Sequence, residues 1–271
     1  MPRSTINGTA IDLDGKEMIL DADQDTTLTV DTDDRVDIKV AGTDTIHIDA
    51  TGIGVNVTNP LYPFHTRAAS GGDNAALFLE GPNNGYSTIY MGDTDDIDIG
   101  SIQYNHSSNY MLFQTNNAEA MRIDSIGAVT KPLQPAFLAR VSTPQNNISA
   151  NTTVTFQFTS EVFDQGADYD TSTYTFTAPV TGKYMFGCIL RLDNVDEQAS
   201  YYDVRLTTSN RSYQNLTGGD NIEADANIVY VFSALADMDA NDTAKMTLYQ
   251  SGGTAQSDLQ NDSTFSGFLA C

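Results

Sequence analysis

The sequence predicts an all-β protein, on three observations. Apolar and polar residues alternate with period two, as in Val36-Asp37-Ile38-Lys39-Val40 and Ile46-His47-Ile48-Asp49. Gly, Asn, Asp, Ser and Pro clusters interrupt these runs at short intervals. Thr, Asp, Asn, Ser, Val, Ile, Tyr and Phe dominate, whereas Leu, Ala and Lys are too sparse for long helices.

Residues 1–58 hold acidic alternating runs of four to seven residues: Ile11 and Leu13, Leu28 and Val30, Val36 to Val40, Ile46 and Ile48. Each run offers one narrow apolar face, too little for a single chain to close a core. Three copies meeting on an axis would close it, so the region predicts a trimeric β-shaft that attaches the molecule. Residues 59–131 begin at the Pro60 and Pro63 breaks and continue as AALFLEG, STIYMGD, DIDIGSIQYN, NYMLFQTN and AMRIDSIGAV. Turns at Gly81–Gly85, Asn105–Asn109 and Asn116-Asn117 make this a β-meander. The one place a short helix fits is Ala118 to Ile123.

TKPLQP, with Pro132 and Pro135, marks the boundary of a third region, 132–271. Its strands are AFLARVS, TVTFQFT, TYTFTAP, GKYMFGCIL, YYDVRLTT, NIVYVFSALA, AKMTLYQ and STFSGFLA. With two short extra segments, eight to ten strands predict a two-sheet sandwich. Pro179 and Gly182 form a tight turn between two of them. Phe176, Tyr184, Phe186, Phe265 and Phe268 are the expected core aromatics, with Leu269 closing the last strand.

The net charge of −23 excludes nucleic acid as a partner, since phosphate binding needs a basic surface. A trimer would carry three times −23, which calls for cations, a salty medium or charge spread along an elongated body. No apolar run is long enough to span a bilayer, and MPRSTINGTAIDLDGKE lacks the apolar stretch of a secretory signal, so membrane insertion and export by that route are not expected. Two cysteines make no disulfide framework: Cys188 is expected as a buried thiol, and an interchain bridge through Cys271 has no support.

Region 136–271 resembles the jelly-roll heads of complement component one-q and tumour necrosis factor. PAFLARVS, TVTFQF, Tyr169-Asp170, TYTFTAPVTGKYMFG, ALADMDANDTAKMTLY and TFSGFLAC carry the resemblance in order, with Asn241 where the family has Gly. It implies a trimer formed through one side of the sandwich. MGDTDDIDIGSIQYNHSSNYMLFQTNNAEAMRIDSIGAV is similar to modules of bacteriophage tail fibres, and DGKEMILDADQDTTLTVDTDDRVDIKVAG resembles the acidic β-repeats of phage fibres. That module often precedes a self-cleaving chaperone, which this sequence does not show. The resemblance implies a virion appendage.

Chemical motifs are weak. Asp21, Asp23 and Asp25 have the opening spacing of a calcium loop, but Thr26 and Thr32 stand where its Gly and Glu belong. Asp93, Asp95, Asp96 and Asp98 suggest paired carboxylates, yet sit on a strand and turn where outward Asp is expected. His47, His65 and His106 are dispersed, with His106 expected in a turn, and no catalytic triad or Cys/His metal spacing is present. Catalysis is not expected. Nine Asn-x-Ser/Thr sequons follow from composition alone.

In an antiparallel sandwich, successive connections alternate between the two ends. This places 193–199, 217–226 and 251–262 together at a distal tip carrying Asp193, Asp196, Glu197, Asp220, Glu223, Asp225, Asp258 and Asp262. Repeated three times, such a tip is suited to calcium and, through it, a polar receptor such as a glycan. The expected protein is a homotrimeric virion fibre. Its N-terminal region would bind other virion proteins and its head a host-surface glycan or protein. A capsid or neck decoration fibre and a glycan-degrading spike are the alternatives.

Overall fold

The computed structural model describes residues 17–30, 34–68, 74–223 and 226–271. Its regular elements there are strands and one short 3-10 turn at Gly219–Asn221, so the all-β expectation holds. The alternation at Ile11 and Leu13 lies outside the described residues. The chain divides into two compact units between Glu80 and Gly81.

In the first unit, β1 (Met18–Ile19), β2 (Thr27–Thr29), β3 (Val36–Val40), β4 (Thr43–Ile48), β5 (Ile53–Val55) and β6 (Phe64–Thr66) form one sheet in chain order. All pairs are antiparallel except β5–β6. Ala41 and Gly42, at φ 47° and 72°, form the tight turn between β3 and β4. Thr27, Thr29, Asp37 and His47 are buried, whereas Val40, Ile48, Ile53 and Phe64 are exposed.

The second unit opens with a meander: β7 (Tyr86–Met91), β8 (Gly100–Asn105), β9 (Tyr110–Thr115), β10 (Ala118–Ile123) and β11 (Val129–Thr130). Asn116 and Asn117, at φ 50° and 57°, make the two-residue hairpin between β9 and β10. Asn105 Oδ1 accepts the Ser108 N–H at 2.7 Å in the preceding turn. The AMRIDSIGAV strand is found and the AALFLEG strand is not. Ala118–Ile123 is a strand, because its backbone pairs with β9 on one side and β11 on the other, and tertiary pairing overrides helical propensity. AALFLEG forms no strand, and Leu77 and Phe78 are exposed.

The head contains β12 (Ala136–Arg140), β13 (Gln145–Ile148), β14 (Thr153–Thr155), β15 (Ser160–Gln165), β16 (Tyr169–Asp170), β17 (Thr175–Thr177), β18 (Gly182–Asp193), β19 (Ala199–Thr208), β20 (Ser212–Gly218), β21 (Ile228–Met238), β22 (Thr243–Gly252), β23 (Ser257–Leu259) and β24 (Thr264–Leu269). One sheet runs β21-β18-β24-β12-β15, with β23 and β13 extending the end of β18. The other runs β16-β17-β22-β19-β20, with β14 also on β22. Several of these strands are two- or three-residue pieces, so the head has more than the eight to ten expected.

Period-two alternation builds the core between the sheets. Tyr184, Phe186, Cys188, Leu190 and Leu192 of β18 face inward, as do Tyr202, Val204 and Leu206 of β19. Phe137 is the hub of the aromatic cluster. Its ring lies 5.0 Å from those of Tyr169 and Phe176 and 5.1 Å from that of Phe265. Phe268 is the exception among the expected core aromatics. On β24 the inward positions are Phe265 and Gly267, so Phe268 faces out and is half exposed. Gly182 also has a different reason from the one expected. It starts a strand without a left-handed φ, and a Cβ there would lie 2.6 Å from Leu269 Cδ1 and 2.8 Å from the Cys271 carbonyl oxygen. It makes room for the C-terminal strand to pass.

Candidate functional site

Two surfaces of the head stand out. The first is the outer face of the β21-β18-β24-β12-β15 sheet. Cross-strand partners share a face, and here Ile189 pairs with Val231, Met185 with both Leu235 and Phe268, and Leu138 with Phe163. Val231 is 72% exposed, Ile189 50% and Phe268 50%. Near the middle, Gly187, Ser233, Thr264 and Ser266 leave a shallow depression rimmed by Leu138, Ile189 and Val231. The charges on β18, Lys183 with Asp237 and Arg191 with Asp193, lie toward the two ends of that strand. The sheet is thus apolar on both faces. Sequence reasoning missed this surface, although the signal was present: YMFGCIL and IVYVFSALA are apolar at both parities, the mark of a strand covered on both sides.

The second surface is the end where the three expected connections gather. Asp196 accepts the Gln198 N–H on Oδ1 at 2.8 Å and the Thr254 and Ala255 N–H groups on Oδ2 at 2.6 and 2.8 Å. Its own N–H donates to the Tyr202 hydroxyl, and Val195 N–H donates to the Ala226 carbonyl. Gly219 approaches Ala199 so closely that a Cβ would strike the Ala199 carbonyl oxygen. The loops therefore meet, but several acidic side chains are occupied by the fold. Asp193 receives two bonds from Arg191, Asp262 receives a third, and Asp258 takes the Asn147 N–H and the Asn194 amide. Glu197 and Asp220 are exposed and Glu223 is also accessible; Asp225 lies outside the described residues. Among the described residues, no three of these carboxylates converge as metal ligands would. Arginine, amide and backbone N–H groups thus occupy Asp193, Asp196 and Asp258, and Glu197, Asp220 and Glu223 are exposed carboxylates at this end.

The acidic group that does converge among the described residues is Asp21, Asp23 and Asp25, whose carboxylate oxygens lie within 4.8 Å of one another. Asp21 is held below its ordinary pKa chiefly by a hydrogen bond from Thr26. The Asp93 cluster is turn chemistry: Asp93 Oδ1 accepts the Asp95 and Asp96 N–H groups at 2.8 and 3.0 Å.

His47, read in the sequence as isolated, is buried, and its Nδ1 lies 2.5 Å from Asp37 Oδ1. Asp37 Oδ2 in turn accepts Arg35 Nε and Nη2 at 2.9 and 2.7 Å. Burial pushes the Asp37 carboxyl up, but Arg35 and His47 outweigh it and hold it below the usual value. The signal was the facing of two polar residues on paired strands, Asp37 opposite His47. His106 Nε2 bonds Ser87 Oγ at 2.9 Å, and His65 Nδ1 accepts the Leu61 N–H. Cys188 is buried, which pushes its thiol up to about 12, and Cys271 is exposed. No helix among the described residues is long and apolar enough to cross a membrane.

The model of the C1q domain family matches residues 136–270. Among solved structures, the globular domain of zebrafish complement 1qA protein is 19% identical, with 51% of this chain and 98% of that chain covered and a TM-score of 0.39. Murine APRIL is 11% identical, with 50% and 98% covered and a TM-score of 0.37. No curated protein matches the chain. Two-sheet topology, alternating core and family match agree that residues 136–270 are a C1q-type jelly roll, a class that is typically trimeric and generally serves non-enzymatic binding.

Proposed function

We propose that the chain is a homotrimeric fibre protein of a bacteriophage virion, a tail fibre whose C1q-type head contacts the host surface. The observation that carries the reading is the apolar outer face around Ile189, Val229, Val231, Leu235 and Phe268. A face this apolar is covered in the working molecule, and a closed ring of three identical heads covers it with no edge left over. The resemblance of residues 91–129 to fibre modules points to a virion, where the N-terminal region would dock on other virion proteins. Three heads on one shaft would bind a repetitive surface glycan or protein with an avidity no single head reaches.

The purified chain is expected to sediment at three times 29.3 kDa, and Val231→Asp to sediment at 29.3 kDa, because a charge cannot be desolvated in that face without a partner. A monomeric wild-type chain would end the reading of a trimer. Gold-labelled antibody against the head, viewed on intact particles, decides the location: label at the tail supports a tail fibre, and label on the capsid or neck replaces it with a decoration fibre.

A further inference from the structure

The outer face of the β16-β17-β22-β19-β20 sheet is polar and aromatic, unlike the apolar outer face of its partner sheet. Cross-strand rows place Tyr201 opposite Ser251, Asp203 between Leu216 and Tyr249, and Arg205 between Gln214 and Thr247. These side chains share one face, because alternate residues of a strand point the same way. The Tyr201 and Tyr249 rings lie 6.0 Å apart, tilted by 31°, and both are partly exposed.

Asp203 sits in the middle of this face and is only 2% exposed. Arg205 donates to it from Nε, at 2.8 Å, and from Nη2, and both bonds go to Oδ2. Oδ1 is shut off from solvent and has no hydrogen-bond partner among the described residues.

Three other arginine–carboxylate pairs show how unusual this is. Arg122 and Arg191 fork across both oxygens of Glu119 and Asp193. Arg35, like Arg205, gives both bonds to one oxygen, Asp37 Oδ2, and there His47 takes the other. Of the four pairs, only Asp203 keeps a buried anionic oxygen without a donor, and such an oxygen is destabilising until one meets it.

We infer that this face binds a neutral pyranose sugar. Asp203 Oδ1 accepts from one ring hydroxyl, Arg205 Nη1 donates to the next, and Tyr201 and Tyr249 pack against the C–H face of the ring. Three features select that chemistry. Arg205 already neutralises Asp203, so a second cation gains little there and is repelled by the guanidinium. A hydroxyl both donates and accepts, so two neighbouring hydroxyls match an acceptor and a donor lying side by side. Tyrosine rings offer apolar area with a polar rim, and a chain at −23 repels acidic sugars. Leu216 and Arg205 reach solvent beside the oxygen, and such side chains change rotamer within nanoseconds, so Oδ1 is reached without moving the sheet. The face belongs to the sheet opposite the apolar one, and covering that one leaves it open. The inference gives the surface-contacting head a ligand class and a place, and rests on that reading only for where the sugar is found.

The test uses the full chain and saturation-transfer NMR with methyl α-mannopyranoside, methyl β-glucopyranoside and methyl β-galactopyranoside. Transfer to at least one of them is expected. Asp203→Asn and Tyr249→Ala are each expected to weaken that binding about tenfold, the worth of one hydrogen bond to a charged group or one packed ring, with the native mass unchanged. Tyr249→Ala keeps the test decisive if the Asp203 variant fails to fold. Silence of all three sugars on the wild-type chain overturns the inference, and Oδ1 then holds a bridging water only. Binding that survives in either folded variant overturns it too, and moves the sugar to another part of the head. Both results leave the fibre reading to the mass and labelling experiments above. Sugar binding lost in the variants of a protein located on the capsid or neck keeps this site and replaces the tail-fibre role.

Discussion

Asp196 shows how much of the head's acidity is spent inward. One carboxylate accepts three backbone N–H groups from two loops, so it ties residues 196–198 to 254–255. Replacing it by Asn turns an acceptor toward N–H groups as a donor, and an unmet buried N–H costs about 1–3 kcal/mol. Asp196→Asn is therefore expected to lower the thermal midpoint of the head and to speed amide exchange at Thr254 and Ala255. The Gln198 N–H, with Ala255 and Thr254 and against burial, holds the Asp196 carboxyl below its ordinary 3.8. A depressed folded pKa contributes stability above the unfolded value and loses it as pH falls through the folded one. The gap in midpoint between wild type and Asp196→Asn should thus be full at pH 5 and close as pH drops below 3.8. A gap that widens in acid would contradict the assignment. Cys188 gives a second test at this scale. With its thiol pushed up to about 12 by burial, it should ignore a maleimide at pH 8, leaving one labelled thiol per native chain, at Cys271, and two after denaturation. Neither role is visible in sequence to the same degree. Cys188 sits in an alternating apolar run that announces burial, whereas the partners of Asp196 lie 58 and 59 residues away, beyond any local pattern.

Strands beside a full core were legible, and the edge strands β15 and β20 were not, for a physical reason. β18 is flanked by β21 and β24, and its inward positions are selected by a full core. β15 and β20 each end a sheet; one has a single neighbour strand, and its sequence SEVFDQ or SYQNLTG shows little alternation because little is buried there. Ala118–Ile123 is a strand and not the short helix that also fits there, for a related reason: Ala, Glu, Met and Arg suit a helix locally, but two neighbouring strands claim its N–H and C=O groups. The same logic places Phe268 outside. Counting by twos from buried Phe265 reaches Gly267, and 268 has the other parity. Gly267 is the position where β24 has no tolerance, since a Cβ would lie 2.6 Å from Phe186 Cδ1 and 2.8 Å from Phe137 Cε1. Gly267→Ala is expected to cost about 1–3 kcal/mol, as overpacked cores do, read as a lower urea midpoint. Phe268→Ala, on the outer face, should instead weaken association while sparing the fold of each head.

At the scale of the whole molecule, charge would oppose the proposed trimer and apolar faces would drive it. Among the described residues, Arg35, Lys39, Arg122, Lys183, Arg191 and Arg205 are each already paired with a carboxylate, so the surplus of 36 acidic over 13 basic residues remains as mutual repulsion. Three copies triple that charge in one particle. Salt screens such repulsion, with the Debye length falling from about 30 Å at 0.01 M to about 10 Å at 0.1 M, and leaves apolar burial intact. If exposed ion pairs held the molecule together, salt would weaken it, although such pairs contribute little. The expected outcome is therefore that the thermal midpoint and the association constant both rise as sodium chloride increases over this range. The rise should shrink as pH approaches the sequence pI of about 4.1, where the surplus charge is gone and little repulsion is left to screen. Sedimentation and calorimetry at the two salt concentrations, at pH 7 and near pH 4, would measure both effects. A midpoint that falls with salt at pH 7 would mean that ion pairs, and not the uncharged faces of the sheets, carry the association.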